Sequence, residues 1–409
     1  MPSNPSSPHN QSTTSAPTTP RLVLLSFGAV AFVLIMSFLA LHTDISLTTT
    51  SPLASPIPPS IPSIPSIPSL PDHLNITYPN PDIPLAPSPL PPPHHASDAH
   101  LIIPLILSLT RSSTFTLVSS LPLLADTFEP EGLLVLPPSR LILSCAEYTS
   151  PTIPYPDHAI INGTDRTPGT GHGHLQVFDL ADGSLLADAS ISHPLSPEYH
   201  NGGIDYDGRA IYGVLSQRRP NSSATLYAAD PFSLQPTTLL RHPTDHLGTL
   251  AVNPLRRRIT ALNWGSRQAT AFPLKDSSSP TTTHPSHPVY NPSHFIDYQD
   301  CKFLGPHQGR HLMLCSGVTS LPGSSSSSGD DNNPHGETAA TTGYVLGGIA
   351  LVDTETLLPV FELPITLESG RGVRITMNPF DVAVEDGRLR FYWAPDQHNT
   401  TLYVYEAQP

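Results

Sequence analysis

The stretch His200–Gly213 reads HNGGIDYDGRAIYG and has the pattern of a tight β-hairpin. Asp207-Gly208 supplies the turn, because glycine accepts the positive φ that a two-residue hairpin needs. Ile204 and Tyr206 alternate with polar residues before the turn, and Ile211 follows it at the strand period. The stretch therefore predicts two short antiparallel strands.

The same unit occurs five times: a strand, a turn, an arginine just after the turn, and a second strand. The second strands begin at Arg140, Arg209, Arg258, Arg310 and Arg388. A further hairpin follows most of these units, so each repeat has four strands. Repeated β units of this size are typical of a β-propeller. We predict an all-β propeller of five blades over residues 111–409, with six blades as the alternative.

The last unit lacks one strand. Leu402–Glu406 nearly ends the chain, and Phe115–Leu121 has the missing strand pattern at the start of the domain. We predict that this first strand completes the last blade and removes its open edge. Two insertions interrupt the period, near residues 149–172 and 321–343. Both are expected to be surface loops, the second of them disordered.

Three segments precede the propeller. Residues 1–20 form a Ser/Thr/Pro-rich tail without a charged residue, and residues 43–110 form a Pro/Ser-rich stalk or linker. Residues 21–42 contain twenty consecutive uncharged residues, Leu22–Leu41, enough to span a bilayer as a helix. We predict an uncleaved signal anchor; the alternative is a signal peptide that is cleaved from a secreted protein.

The predicted topology is that of a single-pass type II membrane protein. Arg21 precedes the apolar span and Asp44 follows it, which favours a cytosolic N-terminus. The C-terminal domain would then be lumenal or extracellular. Glycosylation sequons beyond the span agree with this orientation. They begin at Asn75, Asn162, Asn221 and Asn399.

Composition and cysteine spacing limit the classes of binding partner and the cellular compartment. The net charge is -14 and charged residues are only 13%, which argues against a nucleic-acid surface. Cys301 and Cys315 lie seven residues on either side of Gln308, so in a symmetric hairpin they face each other. An oxidising compartment would favour a disulfide there, with two buried thiols as the alternative. Cys145 is then an unpaired core residue.

Polar residues come just before the first strand of every unit, where a propeller gathers side chains at one mouth of its channel. They are Glu129, Glu131, His200, Asn201, Asp245, His246, His294, Asp297 and Asn378, with Asp205 deeper on its strand. The strand pattern would allow apolar residues at these positions equally well, so a polar residue in every unit is informative. We therefore expect any site to lie at this mouth.

Three interpretations of these residues stay open. His200, His246 and His294 could hold a divalent metal ion, because imidazoles and carboxylates are suitable ligands. Alternatively, Glu131, Asp205 or Asp297 could act as acid and base in a hydrolase or lactonase-like enzyme. The structural interpretation is that these groups hydrogen-bond strand ends and channel water.

The ligand of such a mouth would be a small molecule or glycan. His200, Asn201, His246 and Asn378 are the candidate binding residues from the ring. Trp264 and Arg267, in a loop after a second strand, suit either stacking on a sugar or packing between blades. A scaffold whose loops bind another protein is the remaining function class. The sequence assigns no reaction.

Several blocks together resemble an uncharacterised family of propeller-like proteins of fungi and bacteria, a domain of unknown function. They are His200–Gly208, Asn263–Arg267, Asn291–His294, Ile296–Lys302 and Leu314–Gly317. The resemblance covers about residues 115–406. It implies a propeller fold and no activity.

The predicted type II orientation can be tested at the glycosylation sites. A glycosidase-sensitive increase in apparent mass should persist in Asn10→Gln, since residue 10 would be cytosolic. It should be lost when the four sequons beyond the span are changed together to Gln. A shift that disappears only with Asn10→Gln, read by gel mobility, would reverse the proposed orientation.

Overall fold

The fold is given by a computed structural model that describes residues 69–71, 73–274, 286–321 and 343–409. Four predicted segments therefore lie wholly or partly outside the described residues: the tail, the anchor, the stalk up to residue 68, and residues 322–342 of the second insertion. Within the described part of the chain, no helix is long and apolar enough to cross a bilayer.

Five antiparallel sheets confirm the predicted all-β, five-bladed propeller. Three elements come before the first blade: β1 (Asn75–Thr77), α1 (Ala99–Ser108) and β2 (Thr114–Pro122). Blade 1 consists of β3 (Glu129–Leu136), β4 (Arg140–Ser150), β5 (Thr170–Asp179) and β6 (Leu185–Ser190), with β1 added as a fifth strand on the outer edge of β6. Blade 2 consists of β7 (His200–Asn201), β8 (Asp205–Tyr206), β9 (Ile211–Ser216), β10 (Ala224–Ala229) and β11 (Pro236–His242).

The remaining blades follow the same order from the channel outwards. Blade 3 consists of β12 (Leu247–Asn253), β13 (Arg258–Asn263), β14 (Gln268–Pro273) and β15 (Val289–Tyr290). Blade 4 consists of β16 (Asp297–His307), β17 (Arg310–Leu321), β18 (Tyr344–Asp353) and β19 (Pro359–Pro364). Blade 5 consists of β20 (Phe380–Glu385), β21 (Arg388–Trp393) and β22 (Thr401–Gln408), completed by β2.

The hairpin between β8 and β9 shows how the local sequence makes each blade. Gly208 has a φ of +94°, a value that glycine adopts without a Cβ clash. The Asp207 side chain accepts hydrogen bonds from the backbone N–H groups of Arg209 and Ala210. Asp205 then pairs with Tyr212 across the ladder. The turn thus determines the register of the two strands.

The ring closes as predicted from the missing strand. β2 runs antiparallel to β22, from Thr114 opposite Gln408 to Pro122 opposite Thr401. This pairing satisfies the outer edge of β22 with a strand from the other end of the propeller sequence. The closure joins the two ends of the domain in one sheet.

The part of the predicted stalk that the structure describes is packed against the propeller. Leu70, Leu85 and Ala86 are buried in the core of blades 1 and 2. Ile102 and Ile106 of α1 are fully buried against blades 4 and 5. A spacer over all of residues 43–110 is therefore wrong for residues 69–110, because their scattered apolar side chains have partners. We call residues 69–110 the strap.

Residues 91–98 of the strap lie at the end of the channel where the β-hairpins turn. The Tyr206 hydroxyl donates to the carbonyl of Pro91 at 3.0 Å. His94 contacts Asp98 at 2.9 Å and Asp381 at 3.2 Å. Burial alone would lower the pKa of His94, but hydrogen bonds to the two carboxylates outweigh it and raise the pKa to about 10. His94 is therefore a partly buried cation that holds the strap to blade 5.

Three buried carboxylates in the channel accept backbone hydrogen bonds from neighbouring blades. Asp300 of β16 accepts from the N–H groups of Leu133 in blade 1 and Phe380 in blade 5, both at 3.1 Å. The Lys302 ammonium lies 2.8 Å from both oxygens of Asp300 and donates to the carbonyl of Ile204 in blade 2. This ion pair thus connects four blades.

Asp205 and Asp381 make the same kind of contact. Asp205 accepts from Val252 at 2.7 Å and from Phe303 at 3.1 Å, which joins blade 2 to blades 3 and 4. Asp381 accepts from Val135 at 2.7 Å, which joins blade 5 to blade 1. The inner strands therefore have acceptors for N–H groups that no neighbouring strand of their own sheet pairs.

Cys301 and Cys315 are opposite each other in the ladder of β16 and β17 and form a disulfide with an S–S distance of 2.04 Å. Cys145 is free and buried. The covalent link lies within blade 4, next to the Asp300–Lys302 pair in sequence.

Lys302→Met should lower the free energy of unfolding by about 3–5 kcal/mol, because it leaves the Asp300 carboxylate buried without its cation. Denaturant unfolding followed by circular dichroism measures the loss. Arg256→Ala is the control: its pair with Glu355 is long, at 4.0 Å, and exposed, so we expect a change of about 0.5 kcal/mol or less. A Lys302→Met loss as small as the control's would contradict the role given to the ion pair.

The His94 contact predicts that stability depends on pH. The folded pKa of about 10 exceeds the reference value of 6.5, so the stabilisation is complete below pH 6.5 and is lost as the pH rises towards 10. His94→Gln should be less stable than wild type at pH 6, and the difference should shrink by pH 10. Urea unfolding at pH 6, 8 and 10 measures it. A difference that stays constant with pH would show that His94 is not charged in the folded protein.

Candidate functional site

A cavity of about 1190 Å³ opens at the end of the channel opposite the strap, where the first strands of the blades begin. Every blade or the loop before it contributes to its wall. The polar lining side chains include Glu129, Glu131, Arg166, His200, Arg218, His246, Trp264, Asp297, Gln299, Arg371, Asn378 and Gln397. We call this space the mouth cavity.

Glu129 is held in place by three donors. The Arg218 guanidinium and the Gln397 amide donate to its Oε1 at 2.7 and 2.9 Å. The Tyr148 hydroxyl donates to Oε2, and Arg218 stacks over the Tyr148 ring at 5.0 Å. Burial would raise the pKa of Glu129, but the charge of Arg218 and the hydrogen bonds from Tyr148 and Arg218 are among the causes that together outweigh burial and lower the pKa. Glu129 is thus a fixed, ionised group on the cavity wall.

His200 contacts the second carboxylate of this wall. Its Nε2 lies 3.0 Å from Glu131 Oε1, and both side chains are buried. Burial and the nearby charge of Arg218 lower the pKa of His200 to about 4, so the ring is neutral at neutral pH. With Glu131 ionised, Nε2–H is the donor and Nδ1 keeps its lone pair. Within the described residues, this buried Nδ1 has no hydrogen-bond partner.

His246 is the neighbouring imidazole. Its Nδ1 lies 2.7 Å from the carbonyl of Gln217; a carbonyl only accepts, so Nδ1 carries the proton and Nε2 the lone pair. Burial and the His200 ring lower the pKa of His246 to about 3. The two ring centres are 5.5 Å apart. The mouth cavity therefore has two adjacent neutral imidazoles, each anchored through one nitrogen.

The first insertion forms part of the rim and contacts blade 3. Arg166 lies 4.9 Å over the Trp264 ring, whose other neighbour is the edge of His246 at 4.9 Å. Asn221 donates to the carbonyl of Gly163 at 2.7 Å and ties the insertion to blade 2. The predicted loop near residues 149–172 is thus at the surface, as expected, and also lines the cavity.

Asp297 occupies the blade 4 side of the cavity. Arg267 Nη2 donates to it at 3.2 Å, and the carboxylate is partly exposed. Burial raises the pKa of Asp297 above its usual value despite this arginine. His294 instead accepts from Arg267 at 3.0 Å on the outside of this pair. A carboxyl group with a raised pKa at the rim can exchange a proton with a bound molecule.

The structure brings together seven of the predicted candidates. Glu129, Glu131, His200, His246, Trp264, Asp297 and Asn378 line the mouth cavity. The other five contribute to packing or to the outer rim and do not line it. They are Asn201, Asp205, Asp245, Arg267 and His294.

Two of these five show why sequence position was insufficient. Asn201 donates to the carbonyl of His174 and accepts from the Tyr227 hydroxyl, so its amide is used within blades 1 and 2. Asp205 lies deeper, among the inner strands. Burial raises its pKa to about 6, and its oxygens accept backbone hydrogen bonds. Both side chains therefore support the ring.

Sequence reasoning missed Arg166, Arg218 and Arg371, which line the cavity from loops. The loop after the second strand of a blade returns to the same mouth as the start of its first strand. That topology predicts that Trp264 lies at the mouth, and it predicts the same for Arg218, which follows β9. Arg371 lies in the long connection between β19 and β20, where no repeat pattern indicates a position.

The group best placed to hold a metal ion is Glu129, Glu131 and His200, whose ligand atoms all lie within 4.8 Å of one another. His246 adds a second imidazole beside them. His294, the third histidine predicted as a ligand, is not among them.

A family model for a family of unknown function, DUF6454, matches residues 93–408. The chain belongs to the DUF6454 family. This confirms the predicted relationship to an uncharacterised family, and the match begins within the strap, just before His94 and α1. No curated protein matches this DUF6454 member.

Solved structures resemble the DUF6454 chain only distantly. A luciferin-regenerating enzyme has 9% identity and a TM-score of 0.38, over 73% of this chain and 96% of that one. A calcium-binding protein, regucalcin, from Agrobacterium tumefaciens has 9% identity and a TM-score of 0.38, over 72% and 96%. A PQQ-bound aldose sugar dehydrogenase from Streptomyces coelicolor has 10% identity and a TM-score of 0.34, over 73% and 99%. Likeness at this level indicates no activity for the DUF6454 chain.

Proposed function

We propose that this propeller binds a small polar molecule, such as a sugar or a short glycan, in the mouth cavity. One observation carries the proposal: a cavity of about 1190 Å³ whose floor holds buried, oriented polar groups. Ligand sites are typically concave spaces of roughly 300–1,000 Å³ with a few fixed polar groups. The mouth cavity has such fixed polar groups, and its volume is somewhat above that range.

The wall chemistry supports a hydroxyl-rich ligand. Glu129 and Glu131 are hydrogen-bond acceptors, and the lone pairs of His200 Nδ1 and His246 Nε2 are available to accept from a ligand. Trp264 presents part of an aromatic surface between Arg166 and His246. Aromatic rings beside hydrogen-bonding groups suit a sugar, whose C–H face stacks while its hydroxyl groups bond. Acidic and basic side chains are both present, so the cavity as a whole does not favour a strongly charged organic ligand.

Metal-dependent hydrolysis is the second candidate function, in the form of a hydrolase or lactonase-like enzyme. Glu129, Glu131 and His200, whose ligand atoms lie within 4.8 Å of one another, are the group that would hold the ion. Asp297, with its raised pKa, could supply a proton at the opposite wall. This candidate uses the same cavity, so ligand binding is its first requirement.

We also propose that the domain faces the lumen or the cell exterior, held by the predicted N-terminal anchor. The support is the apolar run of residues 22–41 together with exposed sequon asparagines. Asn75, Asn162, Asn221 and Asn399 are all exposed at the surface of the described chain. The disulfide between Cys301 and Cys315 is compatible with that compartment.

The test is binding of full-length protein to a panel of monosaccharides and oligosaccharides, followed by calorimetric titration of each hit. Trp264→Ala should weaken binding about fivefold or more, because aromatic stacking contributes roughly 1 kcal/mol or more. Glu131→Gln should weaken it as well, since it replaces a charged acceptor by a neutral one.

Tyr290→Ala is the matched control. This aromatic residue lies in the same blade as Trp264 but is 73% exposed on the outermost strand, so binding should not change. Hits that bind Trp264→Ala and Glu131→Gln as tightly as wild type would place the ligand elsewhere. Absence of any hit, with capture of a protein partner through the surface loops, would favour the scaffold function instead.

A further inference from the structure

We propose that His200 and His246 together bind one divalent transition-metal ion at the floor of the mouth cavity. Each offers a nitrogen lone pair, and the remaining coordination positions are open to water or to a bound molecule. The inference concerns the same cavity as the proposed function but does not depend on a sugar ligand. It rests on three observations: the hydrogen bonds that orient the two imidazoles, the separation of their rings, and the charged side chains around them.

Both imidazoles are oriented as metal-ligating histidines are. His200 directs Nε2 to the Glu131 carboxylate at 3.0 Å, and His246 directs Nδ1 to the Gln217 carbonyl at 2.7 Å. In metal sites the non-ligating nitrogen of a histidine almost always donates to a carboxylate or a backbone carbonyl. Here one ring has the first kind of partner and its neighbour has the second.

The ligating nitrogens are the ones that lack partners. His200 Nδ1 is buried and has no hydrogen bond within the described residues. For the same residues, His246 has one polar contact through Nδ1 and none through Nε2, although the side chain is only 4% exposed. A buried nitrogen lone pair without a donor costs free energy. A metal ion would give both nitrogens their missing partner and leave both existing hydrogen bonds intact.

The separation of the rings fits one shared ion. Their centres are 5.5 Å apart with 52° between the ring planes. A metal–nitrogen bond of about 2.1 Å puts the ion about 3.2 Å from each ring centre, so a bond angle of about 110–120° requires centres about 5.2–5.5 Å apart. The observed distance lies within that range.

The surrounding charge favours a cation. Glu129 and Glu131 lie so close to His200 that ligand atoms of all three fall within 4.8 Å of one another. Arg218 balances one carboxylate through its contact with Glu129. Two carboxylates and one guanidinium thus give this group of side chains a formal net charge of −1. Imidazole ligands select zinc, cobalt, nickel or copper over calcium and magnesium, which prefer oxygen.

The experiment titrates full-length protein with Zn²⁺, Co²⁺ and Ca²⁺ separately, without any sugar, by calorimetry. We expect one equivalent of Zn²⁺ or Co²⁺ to bind, and Ca²⁺ to bind at least tenfold more weakly. His200→Gln and His246→Gln should each weaken Co²⁺ binding at least tenfold. Glu131→Gln should have a smaller effect, because its amide oxygen can still accept from His200. His294→Gln is the matched control, a rim histidine whose loss should change nothing.

Electron paramagnetic resonance of the Cu²⁺-loaded wild-type protein tests the same claim without a variant that could misfold. Coupling to two imidazole nitrogens is the expected result, and coupling to none or one would overturn the proposal. So would tighter binding of Ca²⁺ than of Co²⁺, which would indicate a carboxylate site on Glu129 and Glu131. Unchanged binding in both His→Gln variants would assign the ion to other histidines. Because no sugar is present, failure here leaves the glycan proposal standing, and the reverse also holds.

Discussion

The inner strand of every propeller blade has one edge that faces the channel, and its backbone N–H groups need acceptors there. In this protein the acceptors are carboxylates. Asp205, Asp300 and Asp381 each accept from the inner strand of at least one neighbouring blade, and Lys302 neutralises Asp300 at the centre. Together these contacts join all five blades, so that part of the ring's cohesion is electrostatic and lies on its axis. The apolar clusters between blades then complete a structure whose centre is polar and fully buried.

Most of the fold and about half of the site residues could be predicted from the sequence. Turn chemistry such as Asp207-Gly208 and the strand at Phe115 was sufficient for the blades and their closure, because hairpins are local and an open edge needs a partner. The prediction of a spacer is wrong for the strap. Its many prolines indicate an extended linker, whereas Leu70 and Ile102 are isolated apolar residues that form no periodic pattern. Asp205 and His200 looked alike as polar residues near one strand. How deep a side chain lies in the channel depends on strand stagger between blades, which no single segment encodes.

The two ends of the channel use histidine in opposite ways. At the strap end, Asp98 and Asp381 hold His94 as a cation with a pKa of about 10. At the mouth, burial and Arg218 keep His200 neutral, with a pKa of about 4. The same residue type therefore contributes a structural ion pair at one end and a neutral nitrogen lone pair at the other. This asymmetry leaves one end free for recognition, because the strap occupies the other with contacts that the fold requires.

The closure of blade 5 has a consequence for biosynthesis. β2 is made early and pairs only with β22, from residue 114 opposite residue 408. Until β22 leaves the ribosome, β2 presents an unpaired edge with the exposed side chains of Leu117 and Val118. Pairing over so long a stretch of chain is slow, and unpaired edges of this kind promote aggregation. A nascent chain of this protein therefore carries β2 without its partner strand for as long as synthesis of the four intervening blades continues.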